Sequence, residues 1–246
     1  MVLGRVFCSE IKVFEWSKEC DFDLQGNFHV WRLYIPGFVS SIEENIELLT
    51  SEELEKSSSF VHQEDRYRFV LGKIYLRKLI AKYLKIDPKD VRFGMLEYNK
   101  PYLLNMPNLN FNISHSGDFL IIGITNRWPL GVDLERMNSN VDLYNLIYST
   151  MSSTEIGSIL NSHSPREIFY KHWTRKEAFL KGVGIGLTDR LKDISCNDGL
   201  NLVPSGLSSF ASSWNIRSFT MDNQYMISIA HDSAIRVVRF YELNDI

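Results

Sequence analysis

The segment from Gln63 to Leu84 constrains the fold more than any other part of this sequence. Its apolar residues recur at helical spacing, and Asp87-Pro88 follows as a stop signal. The segment therefore predicts a long helix. Gly72 interrupts it, which indicates either close packing at that point or clearance for a ligand beside Arg68.

Strand-like and helix-like segments are intermixed along the rest of the chain. Alternating or β-branched stretches predict strands at residues 29–35, 111–115, 120–125, 130–136, 214–219, 225–230 and 235–242. Capping-box spacing predicts helix starts at Thr50 and Ser152, and Pro165 predicts the start of a helix that ends before Gly182. Regular strand–helix–strand units are missing from this order, so we expect an α+β fold.

Charge and composition exclude several classes of function. The net charge is −3, which gives no general attraction to nucleic acid or acidic membranes. Residues 66–100 are the exception, with 10 Lys and Arg against 3 Asp and Glu. Such runs are usually solvated helix faces, but this one also fits an anion site. No apolar run is long enough to span a bilayer, and three scattered cysteines indicate reduced thiols, so we expect a cytoplasmic protein.

Three acidic residues are the strongest functional signal. Asp133 and Glu135 lie two residues apart in a predicted strand and therefore point to the same side. Glu177 lies on the helix that starts at Pro165, one turn before Lys181. Clustered carboxylates repel one another unless a cation lies between them, and Mg²⁺ prefers oxygen ligands. Exposed acids are common on strands, so the pattern alone leaves a surface role open.

Other motifs are weaker or absent. His115 follows a strand and precedes Ser116-Gly117, where it fits either a structural hydrogen bond or a phosphate contact. Lys100 precedes a proline, which by itself favours a plain surface lysine. A nucleophile elbow, a Walker A loop and a dinucleotide loop are all missing from the sequence.

Together these segments resemble the 4′-phosphopantetheinyl transferases of the larger, surfactin-synthetase-activating type. Four motifs occur in the family's order, at residues 98–102, 111–117, 131–135 and 173–181. The resemblance runs from about Leu49 to the C-terminus. It implies an α+β fold with a pseudo-twofold arrangement of two similar halves, each a small antiparallel sheet with packed helices. Residues 1–126 would carry the basic coenzyme A-binding helix and loops, and residues 127–246 the metal-binding acids and the catalytic helix.

The resemblance also implies roles for individual residues. The Mg²⁺ ligands would be Asp133, Glu135 and Glu177, with Mn²⁺ as the alternative metal. Coenzyme A, the substrate, would be contacted by Lys56, Arg68, Lys100, Pro101, Ser114, His115 and Lys181. The catalytic residues would be Glu177 as general base, Lys176 orienting that step and Lys181 on the pyrophosphate. Glu135 or a water molecule is the alternative base. Glu53 departs from the family pattern, because some members carry a lysine there.

The implied reaction transfers phosphopantetheine from coenzyme A to a serine of an apo carrier protein and releases 3′,5′-ADP. The partner would be an acyl, peptidyl or aryl carrier domain of fatty acid, polyketide or non-ribosomal peptide synthesis, without nucleic acid or membrane. We expect a monomer. Two alternatives use the same residues. A metal-dependent phosphohydrolase would cleave phosphate esters without a carrier, and a non-catalytic coenzyme A-binding protein would tolerate loss of Asp133.

Overall fold

The computed structural model describes residues 3–104, 106, 108–140, 142–186, 190–204 and 213–244. Within these ranges the α-helices are α1 (Ile42–Asn45), α2 (Ser51–Ser58), α3 (Gln63–Leu84), α4 (Leu143–Thr150), α5 (Ser153–Leu160) and α6 (Pro165–Val183). The strands are β1 (Leu3–Glu10), β2 (Phe28–Tyr34), β3 (Phe93–Met95), β4 (Pro101–Leu103), β5 (Leu109–Ser116), β6 (Phe119–Asn126), β7 (Leu130–Arg136), β8 (Gly199–Pro204), β9 (Ser213–Met221), β10 (Tyr225–Asp232) and β11 (Val238–Glu242).

The described strands form two main sheets. The five-strand sheet has the order β7-β10-β9-β1-β8, the four-strand sheet has the order β11-β2-β6-β5, and β3 pairs with β4 in a short hairpin. The predicted α+β fold class is confirmed. Most pairs are antiparallel as expected, but β1 runs parallel to β9 and β11 runs parallel to β2. Each main sheet thus contains one parallel pair that the sequence patterns did not predict.

Both parallel pairs come from strands near the two ends of the chain. β1 lies in the five-strand sheet between β8 and β9, whereas the next strand, β2, lies in the four-strand sheet. In the opposite direction, β11 leaves β10 and completes the edge of the four-strand sheet. The predicted division between residues 126 and 127 stays a prediction. β1 precedes this division but lies in the sheet formed otherwise by strands that follow it, and β11 follows the division but lies in the sheet formed otherwise by strands that precede it.

The long helix α3 covers the four-strand sheet. It spans Gln63–Leu84 as predicted and ends where Lys85 adopts a left-handed conformation, with φ of 55°. Its apolar side chains pack into one core with β2, β5 and β6. A Cβ at Gly72 would lie 3.1 Å from Leu120 and 3.3 Å from Ile113, so Gly72 provides close packing and the ligand-clearance alternative falls away.

Helix α6 covers the five-strand sheet and touches β7 backbone to backbone. A Cβ at Gly131 of β7 would overlap the carbonyl oxygen of Ala178 and lie 2.5 Å from the amide nitrogen of Gly182. A Cβ at Gly182 would in turn lie 2.7 Å from the Trp214 ring. The missing side chains let strand and helix approach until their backbones meet.

Across the described residues, no helix combines the length and the apolar composition that crossing a membrane requires.

Strand alternation assigns the two faces of β7 to different surroundings. Leu130, Val132 and Leu134 are buried in the apolar layer between the main sheets. The residues between them, Gly131, Asp133 and Glu135, lie on the opposite face, which carries α6. The close approach at Gly131 therefore sets the distance between the strand acids and the side chains of α6.

Candidate functional site

The edges of the two main sheets meet along β5 and β7. These strands share no backbone ladder, yet alternate polar side chains of β5 accept hydrogen bonds from alternate N–H groups of β7. The pairs are Val132 N to Asn112 Oδ1 (2.8 Å), Leu134 N to Ser114 Oγ (3.2 Å) and Arg136 N to Ser116 Oγ (3.0 Å). This seam satisfies the backbone of β7, which would otherwise be an open sheet edge.

The seam serines also hold the predicted strand acids. Ser114 Oγ donates to Asp133 Oδ1 at 3.1 Å, and Ser116 Oγ donates to Glu135 Oε2 at 3.1 Å. Lys181 of α6 reaches the same place, with its Nζ 2.7 Å from Asp133 Oδ1 and 2.9 Å from Ser114 Oγ. The structure therefore brings Asp133, Glu135 and Lys181 together. Ser114 is hydrogen-bonded to both the Asp133 carboxylate and the Lys181 ammonium.

Glu177 of α6 completes the acidic group. Burial, together with the charges of Asp133 and Glu135, raises the pKa of Glu177 to about 7. Burial and Asp133 also raise the pKa of Glu135, against hydrogen bonds from Ser116 and Trp173. Glu177 Oε1 and Asp133 Oδ2 are buried without a hydrogen-bond partner. Buried polar atoms without a partner destabilise a folded protein, so their presence indicates a functional role.

The donor chemistry of this group fits a hard divalent cation. Two carboxylate oxygens are buried without a hydrogen-bond partner, Asp133 and Glu135 interact electrostatically with Glu177, and all three side chains offer oxygen ligands. Within the described ranges, no group of three or more His, Cys, Asp or Glu side chains is arranged so that it could hold a metal ion by itself. Mg²⁺ usually takes only one or two carboxylates and completes its shell with water and phosphate oxygens, so an open arrangement matches its needs.

The raised pKa of Glu177 predicts a pH-dependent stability in metal-free buffer. The ordinary pKa is 4.5 and the folded value is about 7, so folding binds a proton between these values. The contribution is fully present below pH 4.5 and is lost as pH rises through 7. At pH 8 with EDTA, Glu177→Gln should therefore unfold with a free energy higher by up to about 3 kcal/mol than the unmodified protein.

Urea unfolding of both proteins at pH 5 and pH 8 measures this difference. At pH 5 the two free energies should differ by less than about 1 kcal/mol, since glutamine resembles the protonated carboxyl and most of the contribution is still present. The comparison removes the effect of three buried histidines, His29, His172 and His231, whose pKa values burial lowers to about 4 and which titrate in the opposite sense. Equal stability at both pH values would show that Glu177 is not held in a charged, desolvated group.

His115 and Arg68 lie beside the acids on the α3 side of the seam. Arg68 Nε donates to the carbonyl oxygen of Gly117 at 2.8 Å, and its guanidinium pairs with Asp65 at 2.6 Å. Loss of solvation by the surrounding protein lowers the pKa of His115, and the charges of Lys181 and Arg68 add to this, although the residue keeps exposed surface. His115 is thus a neutral imidazole at pH 7, close to two cations.

Lys100 does not lie on the surface. Its Nζ donates to the carbonyl oxygens of Lys181 (2.7 Å) and Gly182 (2.9 Å), which belong to the last turn of α6. Burial lowers the pKa of Lys100 to about 8. Lysine near a helix C-terminus satisfies free carbonyls and the helix dipole. The surface alternative is wrong, and Lys100 connects the loop before β4 to the helix that carries Glu177.

A cavity of about 410 Å³ opens beside Lys100. Its wall includes Pro101, Tyr98, Phe111 and Val183, so both main sheets contribute to it.

Lys56 lies apart, exposed on α2 with its ammonium 5.4 Å from the centre of the Phe69 ring. Glu53 faces basic residues of α3, with 3.4 Å to Lys73 and 2.9 Å to Arg77.

Lys176 points away from the acids. Its Nζ is completely buried and contacts Glu155 Oε2 (2.7 Å) and the carbonyl oxygens of Thr150 (2.9 Å) and Leu191 (2.8 Å). Neighbouring residues on a helix are about 100° apart, so adjacency to Glu177 in sequence does not place Lys176 in the same site. The catalytic contact expected of Lys176 does not fit this geometry.

Sequence reasoning missed Ser116, Gly131 and Gly182. The signal for Ser116 was present, because residues 112, 114 and 116 alternate as polar side chains on one face of a strand. Gly131 opens the motif that contains Asp133, and Gly182 follows Lys181 directly. Their need for close contact depends on how β7 meets α6, which spacing along the chain does not express.

This chain is similar to known proteins along most of its length. A family model described as "4′-phosphopantetheinyl transferase, N-terminal" matches residues 38–126, and one described as "4′-phosphopantetheinyl transferase superfamily" matches residues 129–230. A 4′-phosphopantetheinyl transferase of Bacillus subtilis is 30% identical over 208 residues, which cover 81% of this chain and 90% of that protein. The 4′-phosphopantetheinyl transferase Sfp of Bacillus subtilis (strain 168) is 33% identical over 161 residues, covering 63% and 70%.

A solved structure gives a much weaker match. The crystal structure of Thermotoga maritima holo-[acyl-carrier-protein] synthase aligns with a TM-score of 0.32 and 16% identity. The alignment covers 42% of this chain and 61% of that chain. This likeness is too low to bear on the fold or the site.

Proposed function

Because this chain belongs to the 4′-phosphopantetheinyl transferases of the two-part, surfactin-synthetase-activating type, we propose that it transfers 4′-phosphopantetheine from coenzyme A to a serine hydroxyl of an apo carrier protein. The observation that carries the proposal is the meeting of Asp133, Glu135, Glu177 and Lys181 at the seam between the two sheets. Such a site suits a crowded phosphate anion with a divalent cation.

The acids and their serine partners form the core of the proposed site. When bound, Mg²⁺ would be held by Asp133, Glu135 and Glu177 and would neutralise charge on the pyrophosphate of coenzyme A. Ser114 and Ser116 fix the orientation of Asp133 and Glu135 before substrate arrives. Preorganised groups of this kind need no reorganisation during the reaction.

Cations of the chain surround the same space. Lys181 balances Asp133 in the free protein and lies within reach of a pyrophosphate at the acids. His115 is neutral, so it offers an N–H to a phosphate oxygen without adding charge, and Arg68 lies beside it. We place the 3′-phosphate near His115 and Arg68. A contact of Lys56 with coenzyme A stays a proposal.

The adenine end fits the cavity beside Lys100 and Pro101. Aromatic rings of Tyr98 and Phe111 line the cavity, and planar bases pack well against such rings. Lys100 joins this cavity to the backbone of Lys181, whose side chain reaches Asp133. One ligand that extends from the cavity to the acids would therefore contact both sheets.

Glu177 is the proposed general base. The serine oxygen forms a bond to the phosphorus that carries the pantetheine arm, the bridging P–O bond breaks, and 3′,5′-ADP leaves with the bridging oxygen. The serine proton passes to Glu177, whose pKa is raised to about 7 in the metal-free protein by burial and by the neighbouring acids. Glu135 or a water molecule is the alternative acceptor.

Intact-mass spectrometry of apo acyl, peptidyl and aryl carrier proteins tests the proposal. With coenzyme A and Mg²⁺, at least one carrier should gain the mass of one phosphopantetheine, and EDTA should prevent the gain. Glu177→Gln should still bind coenzyme A but react about 10²–10⁴-fold more slowly. Binding of coenzyme A without transfer to any carrier would instead favour a non-catalytic binding protein. Phosphate release without a carrier would favour a phosphohydrolase.

A further inference from the structure

Three consecutive polar residues of α6, immediately before Glu177, are completely buried. Thr174, Arg175 and Lys176 each have no exposed surface. Successive helical residues point about 100° apart, so these three side chains cover more than half of the helix circumference. Burying three polar side chains in a row is costly unless every polar group finds a partner.

Thr174 and Arg175 are bonded to the five-strand sheet. Thr174 Oγ1 lies 2.8 Å from Ser228 Oγ on β10. The guanidinium of Arg175 donates four hydrogen bonds to partners on β9, on β1 and on the segment before β8. These partners are Ser218 Oγ (2.7 Å), Cys196 O (2.8 Å), Ser9 O (3.3 Å) and Asp198 Oδ1 (2.6 Å).

Lys176 is bonded on the other side, to the helical layer. Its three N–H groups meet Glu155 and two backbone carbonyls, as described above. Both carboxylate oxygens of Glu155 are hydrogen-bonded as well, because they also accept from the backbone N–H groups of Cys196 (2.9 Å) and Ser152 (2.8 Å). This buried pair joins α6 to α5, to the end of α4 and to the segment around Leu191.

Glu177 needs such support. One oxygen of its carboxylate is buried without a hydrogen-bond partner, so the contacts of that oxygen do not fix Glu177 beside Asp133 and Glu135. A small rotation of α6, or a shift along its axis, would move Glu177 away from them. Bonds on both sides of the preceding three residues prevent this motion.

We infer that Lys176 is a positioning residue: through its buried pair with Glu155 it fixes the rotation of α6 and holds Glu177 against Asp133 and Glu135. The inference rests on the proposed function, in which Glu177 takes part in the transfer. It replaces direct action of the Lys176 ammonium on the reacting groups with an indirect role.

The test compares the unmodified enzyme with Lys176→Met, Glu155→Gln and the double variant, using melting temperature, kcat, and KM for coenzyme A. Lys176→Met leaves a buried carboxylate unpaired, so the melting temperature should fall by roughly 6–20 °C. Displacement of Glu177 should lower kcat by about 10²-fold with an unchanged KM. In the double variant the neutral pair should recover much of both losses. Lys171→Met is the matched control, since Lys171 lies on the same helix and pairs with the exposed carboxylates of Glu10 and Asp198 instead of with a buried one.

Each other outcome has a defined meaning. If the double variant regains its melting temperature but stays as slow as Lys176→Met, the ammonium acts in the chemistry and the inference is wrong. The inference also fails if Lys176→Met behaves like Lys171→Met. An unmodified enzyme that modifies no carrier would overturn the proposed function instead.

A second variant covers the case in which Lys176→Met and the double variant do not fold. Thr174→Val keeps the shape of the side chain and removes the hydroxyl contacts with Ser228 Oγ (2.8 Å) and with the carbonyl oxygen of Lys171 (3.3 Å). A lowered kcat with constant KM and melting temperature would support fixation of α6. An unchanged kcat would contradict it.

Discussion

Gly131→Ala should remove nearly all transferase activity and destabilise the protein. The new Cβ would overlap the carbonyl oxygen of Ala178 and press on the amide nitrogen of Gly182, and both are backbone atoms that cannot rotate away. Overpacking of this kind costs about 3 kcal/mol. Strand β7 would move away from α6, which separates Asp133 and Glu135 from Glu177 and Lys181. A displacement of about 1 Å is enough to lower kcat by about 10²-fold.

Gly157→Ala is the matched control for this substitution. Gly157 lies within α5, and a Cβ there would meet no atom within 4 Å. Alanine is a better helix former than glycine, so this variant should be as stable as the unmodified protein or more stable by up to about 1 kcal/mol. Chemical denaturation and carrier modification measured on both variants decide the matter. Normal activity in Gly131→Ala would mean that the contact of β7 with α6 does not set the site.

Asp133→Asn should also lose activity, but unlike Gly131→Ala it should keep its stability. Asp133 accepts from both Lys181 and Ser114 and is one of the proposed metal ligands. Loss of its charge should lower kcat by about 10³-fold. Its removal also relieves repulsion of Glu177 and Glu135, both of which have a pKa that Asp133 raises. The free energy of unfolding in EDTA at pH 8 should therefore stay constant or increase.

Glu242→Gln provides the comparison for loss of a paired carboxylate elsewhere. Glu242 lies 3.2 Å from Arg32 on the four-strand sheet, remote from the seam. This variant should modify carriers at the normal rate. If Asp133→Asn were equally active, the acidic group would have no part in catalysis. A large fall in stability would show that Asp133 is retained for the fold.

Local sequence patterns predicted the elements that depend on neighbouring residues. The helix Gln63–Leu84 has its predicted bounds, and both capping boxes form, at Thr50 with Glu53 and at Ser152 with Glu155. Alternation along β7 placed Asp133 and Glu135 on one face, and helical spacing placed Glu177 near Lys181. The structure brings these four side chains together, and their roles in metal binding and catalysis stay predictions.

What the patterns missed depends on contacts between distant segments. Lys176 is adjacent to Glu177, but its surroundings are set by Glu155 and Leu191, which reach it only after α4, α5 and α6 have packed. Lys100 looked like a surface lysine because its partners, the carbonyls of residues 181 and 182, are backbone atoms with no sequence signature. The positions of β1 and β11 were likewise hidden, since parallel pairing needs no nearby turn.

The crossed placement of β1 and β11 has a consequence for synthesis on the ribosome. β2 cannot pair with β11 until residues 238–242 have been translated, and β1 must wait for β8 and β9, which follow it by about two hundred residues. Contacts so distant along the chain form slowly, and unpaired strand edges expose a nascent chain to aggregation. The five-strand sheet therefore stays incomplete until β10 has been translated, and the four-strand sheet until β11 has been translated.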